Sequence, residues 1–340
     1  MNQDGIMQYK FLINLLFLLL SFLPIVAANH LLLKKKFNVT VRVARFYGEK
    51  DAALTYTFDD GLQDHYNIAA PLLEKFGFRG TFFIIPIKVP ETSVQVYSKK
   101  PGEWGGISWS QLNEMLHNGH EIGNHSMSHR SLKNLNDTIL MKEIEGSWQE
   151  IKNKTGVTPL TFCYPYNSFD EHIRSIALFN HIATRDSCLG IGKNTTIENF
   201  NAIADSAIKK KLWKVFMIHG IVNGFDSFED PQLLEHHLNY VKLHEDKIWI
   251  STFANAFRYI RERDNVKLHV KYKYNQIKCV MKTTLNPHIY NQPLTVVFEI
   301  KGAKNVQATL SGIKQPLVIY ADKVCVDWIP GNEVLKLSWK

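Results

Sequence analysis

Between residues 37 and 263, short apolar runs alternate with amphipathic ones, and no other feature constrains the fold as much. Val39, Val41, Val43 and Phe46 open the series. Runs at 53–58, 80–85, 120–124, 161–164, 181–184, 213–218 and 247–252 follow, each with the length and the β-branched or aromatic content of a strand. The segments between them carry helical spacing. One runs to Phe76 and is stopped by Gly77; another has Leu112, Met115 and Leu116 before Gly119. The longest is capped by Asp137, lines up Leu140, Ile144, Trp148 and Ile151, and is closed by Gly156. Helices at 170–178, 231–242 and 253–263 complete the set. Repeated βα units predict an α/β fold, a parallel sheet or barrel with its chemistry at the carboxyl ends of the strands.

After residue 263 the period changes to two. Val266, Leu268, Val270, Tyr272 and Tyr274 alternate with Lys267, His269, Lys271 and Lys273, the pattern of a half-buried antiparallel strand. Further runs at 293–300, 306–310, 317–320, 324–328 and 334–339 are separated by Gly, Pro, Asn and Asp. Residues 265–340 are therefore expected to form a small all-β, sandwich-like domain. Trp328 and Trp339 read as core residues ahead of sugar platforms.

Residues 11–26 are uncharged and apolar, follow Lys10, and end near the small residues Ala27 and Ala28. This layout predicts a secretory signal at 1–28. The rival reading, an uncleaved anchor, needs about 20 clean apolar residues, and Pro24, Asn29 and His30 interrupt the run. The expectation is an exported protein, periplasmic, envelope-bound or extracellular, with no stable membrane insertion after cleavage. Disulfides form in such compartments, and Cys163, Cys188, Cys279 and Cys325 allow three pairings. The net charge of +8 reads as spread along the chain apart from the lysine runs at 34–36 and 209–211. No nucleic-acid motif accompanies it, and no nucleic-acid partner is expected.

Four stretches carry chemistry. In Thr57-Phe58-Asp59-Asp60-Gly61, successive side chains leave a strand end on opposite sides, so one carboxylate can hold a cation while the other handles a proton. Asp-Asp-Gly is also ordinary turn chemistry. In His125-Ser126-Met127-Ser128-His129 the imidazoles lie one turn apart if the segment is helical. One added carboxylate makes a His-His-Asp face with open positions, hydrolytic rather than structural in type. Phe162-Cys163-Tyr164-Pro165-Tyr166-Asn167 ends a strand in a rigid turn whose backbone N–H groups can stabilise an oxyanion. The apolar run 215–218 delivers His219, a candidate general acid.

Together these pieces resemble the polysaccharide deacetylases of the NodB-homology type, carbohydrate esterase family four. They occur in the family's order over residues 37–263. The resemblance implies a distorted (β/α) barrel, a divalent metal (Zn2+, with Co2+ or Ni2+ as alternatives), and an acetylated glycan as substrate. It implies removal of acetyl groups from N-acetylated sugars. An acetylxylan-type O-acetyl esterase and a non-catalytic glycan-binding protein that keeps the metal site are the alternatives. Carried over by position, Asp60, His125 and His129 hold the metal, and Asp59 is the base that takes a proton from the attacking water. The Tyr166 backbone N–H receives the oxyanion, and His219 protonates the leaving group. Two positions depart from the pattern: Cys163 stands where the family has an arginine, and Asn167 where a glycine is common. Arg185, in Ala183-Thr184-Arg185-Asp186, could supply the missing charge, and Asp186 is a stand-in for the acid of the fourth motif. The loop at 89–106, with Glu103 and Trp104, is expected to shape a wall of the cleft.

Overall fold

The computed structural model describes residues 39–91 and 105–340. The proposed signal at 1–28 lies outside the described residues, as do Glu103 and Trp104. The chain divides into two units, one of residues 44–265 and 284–294, the other of residues up to 43, 266–283 and 295–340.

The first unit is built on Ala52–Phe58, all seven residues of which are buried. A strand covered on both faces reads as a continuous apolar run, and this one does. Eight strands form its sheet. From one edge the order is Ala183–Thr184, Thr161–Phe162, Glu121–Asn124, Thr81–Ile84, Ala52–Phe58, Trp213–Ile218 and Leu189–Gly190. Every pairing is parallel. Ile248–Ile250 pairs with the start of the central strand, Ala52 to Leu54, while Thr81–Ile84 pairs with its end at Thr57 and Phe58. The sheet therefore splits along that strand and curls into a half-barrel, with Leu54, Tyr56, Phe58, Phe82 and Phe216 fully buried in its core. Leu189–Gly190 is too short to have shown in the sequence.

The second unit holds two antiparallel sheets. The five-stranded one runs Lys267–Lys273, Gln276–Lys282, Leu335–Ser338, Gln307–Leu310, Ile313–Lys314. The four-stranded one runs Val39–Val43, Leu294–Ile300, Lys323–Trp328, Val318–Tyr320. Val39–Val43 thus belongs here and not to the parallel sheet, a correction to its expected place at the head of the α/β series. Its strict alternation explains the difference. Thr40 faces outward and donates to Glu299 at 2.8 Å, which suits a sheet with one solvated face and not a strand buried on both. Trp328 is buried and Trp339 half-buried. All four cysteines are free thiols. Among the described residues no helix is long and apolar enough to cross a membrane.

Candidate active site

The central strand runs one residue past its ladder, the Asp59 N–H donating to the Ile218 carbonyl at 2.9 Å. The chain then turns sharply, with Asp60 at φ 77° and Gly61 at φ 66°. A left-handed aspartate costs about 1 kcal/mol or more, and it sends the two carboxylates in different directions.

Asp59 points into the protein. Arg185 meets it with both ends of its guanidinium, Nη1 to Oδ1 at 2.7 Å and Nη2 to Oδ2 at 2.5 Å, and Nη1 also reaches Thr57 Oγ1 at 2.6 Å. Asp59 is 2% exposed and Arg185 1%. Burial works to raise the Asp59 carboxyl, but the Arg185 charge and hydrogen bonds more than offset it, with His125 and His219 adding to them. The group is held well below the usual carboxylate range. Asp59 is thus always ionised at neutral pH. Cys163 also lies against it, Sγ 3.8 Å from Oδ2. Burial pushes this thiol up, so it stays protonated and can donate a weak hydrogen bond, a contact not expected from the sequence. Phe162 pairs with Thr184, so the residues that follow, Cys163 and Arg185, stand at adjacent strand ends. The arginine expected at 163 is supplied from one strand over.

Asp60 faces the histidines. His129 Nε2 is 3.3 Å and His125 Nε2 3.7 Å from Asp60 Oδ1, and the three ligand atoms lie within 4.8 Å of one another. His125 Nδ1 lies 2.8 Å from the Cys163 carbonyl. A carbonyl only accepts, so Nδ1 carries the proton and Nε2 presents a lone pair. Asp60 Oδ1 is buried with no hydrogen-bond partner. The His125 lone pair, the His129 Nε2 and an unpartnered carboxylate oxygen converge here, and two imidazole nitrogens with one carboxylate oxygen suit Zn2+ or a neighbouring transition metal. The histidines do not meet as a helical turn. Ser126 and His129 have φ of 62° and 59°, and Ser126 Oγ accepts the His129 N–H at 3.0 Å. Buried Glu143 fixes this loop, accepting Ser128 N at 2.9 Å and Ser128 Oγ at 2.6 Å, while its own carbonyl accepts Met127 N. It projects from a π-helical stretch, Lys142–Gly146, within the long helix, a distortion common at functional sites. That helix is capped by Asn136, not Asp137.

His219 follows Trp213–Ile218, with Phe225 edge-on to its ring at 5.3 Å. Its backbone is held from the exit of the central strand. His65 Nε2 donates to the His219 carbonyl at 2.7 Å, and Asp64 Oδ2 accepts the N–H groups of Val222 and Asn223 at 2.8 and 2.6 Å. A Cβ at Gly220 would lie 2.5 Å from the Asn223 carbonyl oxygen, so this turn requires glycine. Sequence reasoning missed Asp64, His65 and Glu143. Tyr166 takes φ 60°, is 68% exposed, and sets its ring 4.8 Å from that of His129. The Asn167 and Ser168 amides are engaged by the Tyr164 and Pro165 carbonyls.

One cavity of about 490 Å³ is lined by Asp59, Asp60, His125, His129, Tyr166 and His219, together with Tyr164, Asn167, Met217 and Phe225. Arg185 stands behind Asp59. Asp186 is not brought to the cavity: it bonds Arg174 Nε at 3.0 Å and Thr184 Oγ1 at 2.5 Å.

Residues 47–182 match the family described as polysaccharide deacetylase. Gellan lyase of a Bacillus species is 22% identical over 318 residues, 81% of this chain. Chitin deacetylase 1 of Cryptococcus neoformans is 27% identical over 121 residues, 36% of this chain. The chain spans 12% and 22% of the length of those two relatives. Among solved structures, the carbohydrate-esterase-four domain of a xylanase from the hindgut metagenome of Trinervitermes trinervoides is 20% identical and covers 61% of this chain and 89% of its own, with a TM-score of 0.42. Over residues 47–182, which lie within the first unit with its curled parallel sheet, this chain matches the polysaccharide deacetylase family.

Proposed function

We propose that this chain removes acetyl groups from N-acetylated glycans with the help of a divalent cation held by Asp60, His125 and His129. The observation that carries the reading is the division of labour between adjacent aspartates, one facing two imidazole nitrogens and the other gripped by a buried arginine, on a cavity shared with His219. A relative named as a chitin deacetylase supports an N-acetylated substrate.

Asp60, His125 and His129 would hold the cation, Zn2+ being the proposed one with Co2+ and Ni2+ as alternatives, and it would supply Lewis-acid polarisation of water and of the acetyl carbonyl. Asp59, ionised at any neutral pH, accepts the proton that water loses on adding to the acetyl carbon. The Tyr166 amide, leading its left-handed turn, donates to the oxygen on which negative charge develops. As the C–N bond breaks, His219 donates a proton to the departing nitrogen, releasing acetate and an amino sugar. Exposed Tyr166 and Phe225 offer flat apolar surfaces beside the cavity for a sugar ring.

Acetate release tests this. The metal-free protein is expected to be inactive on chitin oligomers and to recover on addition of Zn2+ or Co2+. Release from acetylated xylan alone would move the reading to an O-acetyl esterase. No release from any acetylated glycan would leave a glycan-binding protein. We also propose export, on the apolar run at residues 11–26; recovered protein beginning at Ala28 or Asn29 is the expected result, and cytosolic protein with residues 1–28 intact would contradict it.

A further inference from the structure

The chain's charge is not evenly spread. The antiparallel unit, counted over Val39–Val43, 266–283 and 295–340, holds 12 Lys and Arg against 4 Asp and Glu, whereas residues 44–265 with 284–294 hold 24 against 27. Much of the excess lies on one face of the five-stranded sheet. Lys271 stands opposite Lys278, Lys278 opposite Lys336, Lys336 opposite Thr309, and Thr309 opposite Lys314. Directly opposed residues share a face, so one cationic row crosses all five strands. Lys267 and Lys282, also opposed, lie on the same face four residues away along their strands. All six lysines are exposed, and no Asp or Glu occupies a strand position on this face. On the opposite face Ile277, Cys279, Met281, Leu335 and Leu337 are fully buried.

Like charges placed directly opposite destabilise a sheet. Lysine on an edge strand is a usual guard against aggregation, and that accounts for Lys267–Lys273. It does not account for Lys278 and Lys336, which sit on interior strands. A bound polyanion would relieve that repulsion.

We infer that this face is a docking surface for an acidic polysaccharide, one whose repeating sugars carry carboxylates. Adjacent strands repeat the charge at roughly 4.8 Å, a spacing that rewards a polymer over a single ion. The neighbouring row, Lys273, Gln276, Ser338 and Gln307, adds amides and a hydroxyl suited to sugar hydroxyls. It borders an open cleft of about 740 Å³ whose walls include Gln307, Lys314, Ser338 and Trp339. The face offers no Phe, Tyr or Trp at its strand positions on which single-stranded bases could stack. Its five-strand breadth does not enter a duplex groove. The choice of a glycan rests on the polysaccharide deacetylase match within the first unit; the surface itself does not depend on catalysis.

The test titrates the intact chain and its Lys271→Gln, Lys278→Gln, Lys336→Gln triple variant against polygalacturonate, neutral dextran, duplex DNA and phosphatidylglycerol vesicles. The unaltered chain is expected to bind polygalacturonate and not dextran, more weakly as salt rises, and the triple variant to bind at least about tenfold more weakly at low ionic strength. Unchanged affinity in the variant overturns the proposal. Preference for DNA or for vesicles over polygalacturonate overturns it too, assigning the face to a different partner. Acetate release from a short neutral acetylated oligosaccharide is the control. It is expected to be equal in both proteins, and its loss in the variant alone would contradict a docking role. Its absence from both would refute the deacetylase reading while leaving the binding result standing.

Discussion

Arg185 holds both carboxylate oxygens of Asp59, at 2.7 and 2.5 Å, inside a protein where neither residue is more than 2% exposed. Burying two charges is costly, and removing one partner leaves the other uncompensated, typically at about 3–5 kcal/mol. Arg185→Met is therefore expected to lower the melting temperature and to raise the Asp59 carboxyl into a range where it protonates. Because Cys163 and Arg185 occupy adjacent strand ends, the exchange Cys163→Arg with Arg185→Cys should recover part of both losses. An Arg185→Met protein with undiminished turnover would show that Asp59 needs no orienting partner.

The two aspartates should fail differently. Asp59→Asn keeps the Asp60, His125 and His129 cluster, so metal stoichiometry should persist while turnover falls by roughly 10²–10⁴, the range for losing a general base. His125→Ala removes a lone pair fixed by the Nδ1 bond to the Cys163 carbonyl, and should weaken metal binding itself. Equilibrium dialysis against Zn2+ separates the cases, and normal metal content in His125→Ala would remove that residue from the ligand set.

Much of this site is legible along the chain because each stretch delivers its own residues to a strand end. Asp59, Asp60, His125, His129 and His219 need only the strands to be placed correctly. What is illegible depends on register or on backbone atoms. Arg185 reads in the sequence as a candidate for the missing charge, but its bidentate grip on Asp59 emerges only from the pairing of Phe162 with Thr184. Glu143, Asp64 and His65 act on main-chain groups of distant loops, and no residue type announces that. The spacing of His125 and His129 correctly brings the rings together, but a loop with two left-handed residues does it. The lysine row shows the same limit, since alternation along 266–274 reveals one strand and the ladder emerges only when five are aligned.

Acid should destabilise the first unit through its buried histidines. His237 stacks on Phe200 with centroids 3.5 Å apart, and burial lowers its pKa to about 3. In the unfolded chain it titrates near 6.5, so between those values the unfolded state binds more protons and stability rises with pH. The contribution is complete above about pH 6.5 and is lost as pH falls towards 3. His237→Gln should flatten the decline of melting temperature between pH 7 and pH 4 even if it lowers the plateau. A decline of equal steepness in the variant would assign the acid sensitivity to other groups.

Asp64 and His65 lie one turn beyond the aspartate pair at the exit of the central strand, yet they bind the turn that carries His219. One helix start thereby fixes the separation of base and acid. Asp64→Ala frees the Val222 and Asn223 amides and lets that turn move, so the expected loss lies in proton donation to the leaving group. The choice of substrate exposes this. An amine leaving group needs a proton and a nitrophenolate does not, so release from an N-acetylated sugar should fall by about 10²-fold, the lower range for general-acid catalysis, while hydrolysis of 4-nitrophenyl acetate changes little. Asp64→Asn, which keeps an acceptor oxygen, should restore much of the difference. Equal losses on both substrates would mean that Asp64 supports the fold and not the acid, and a His219→Ala protein with equal losses would mean that His219 is not the acid at all.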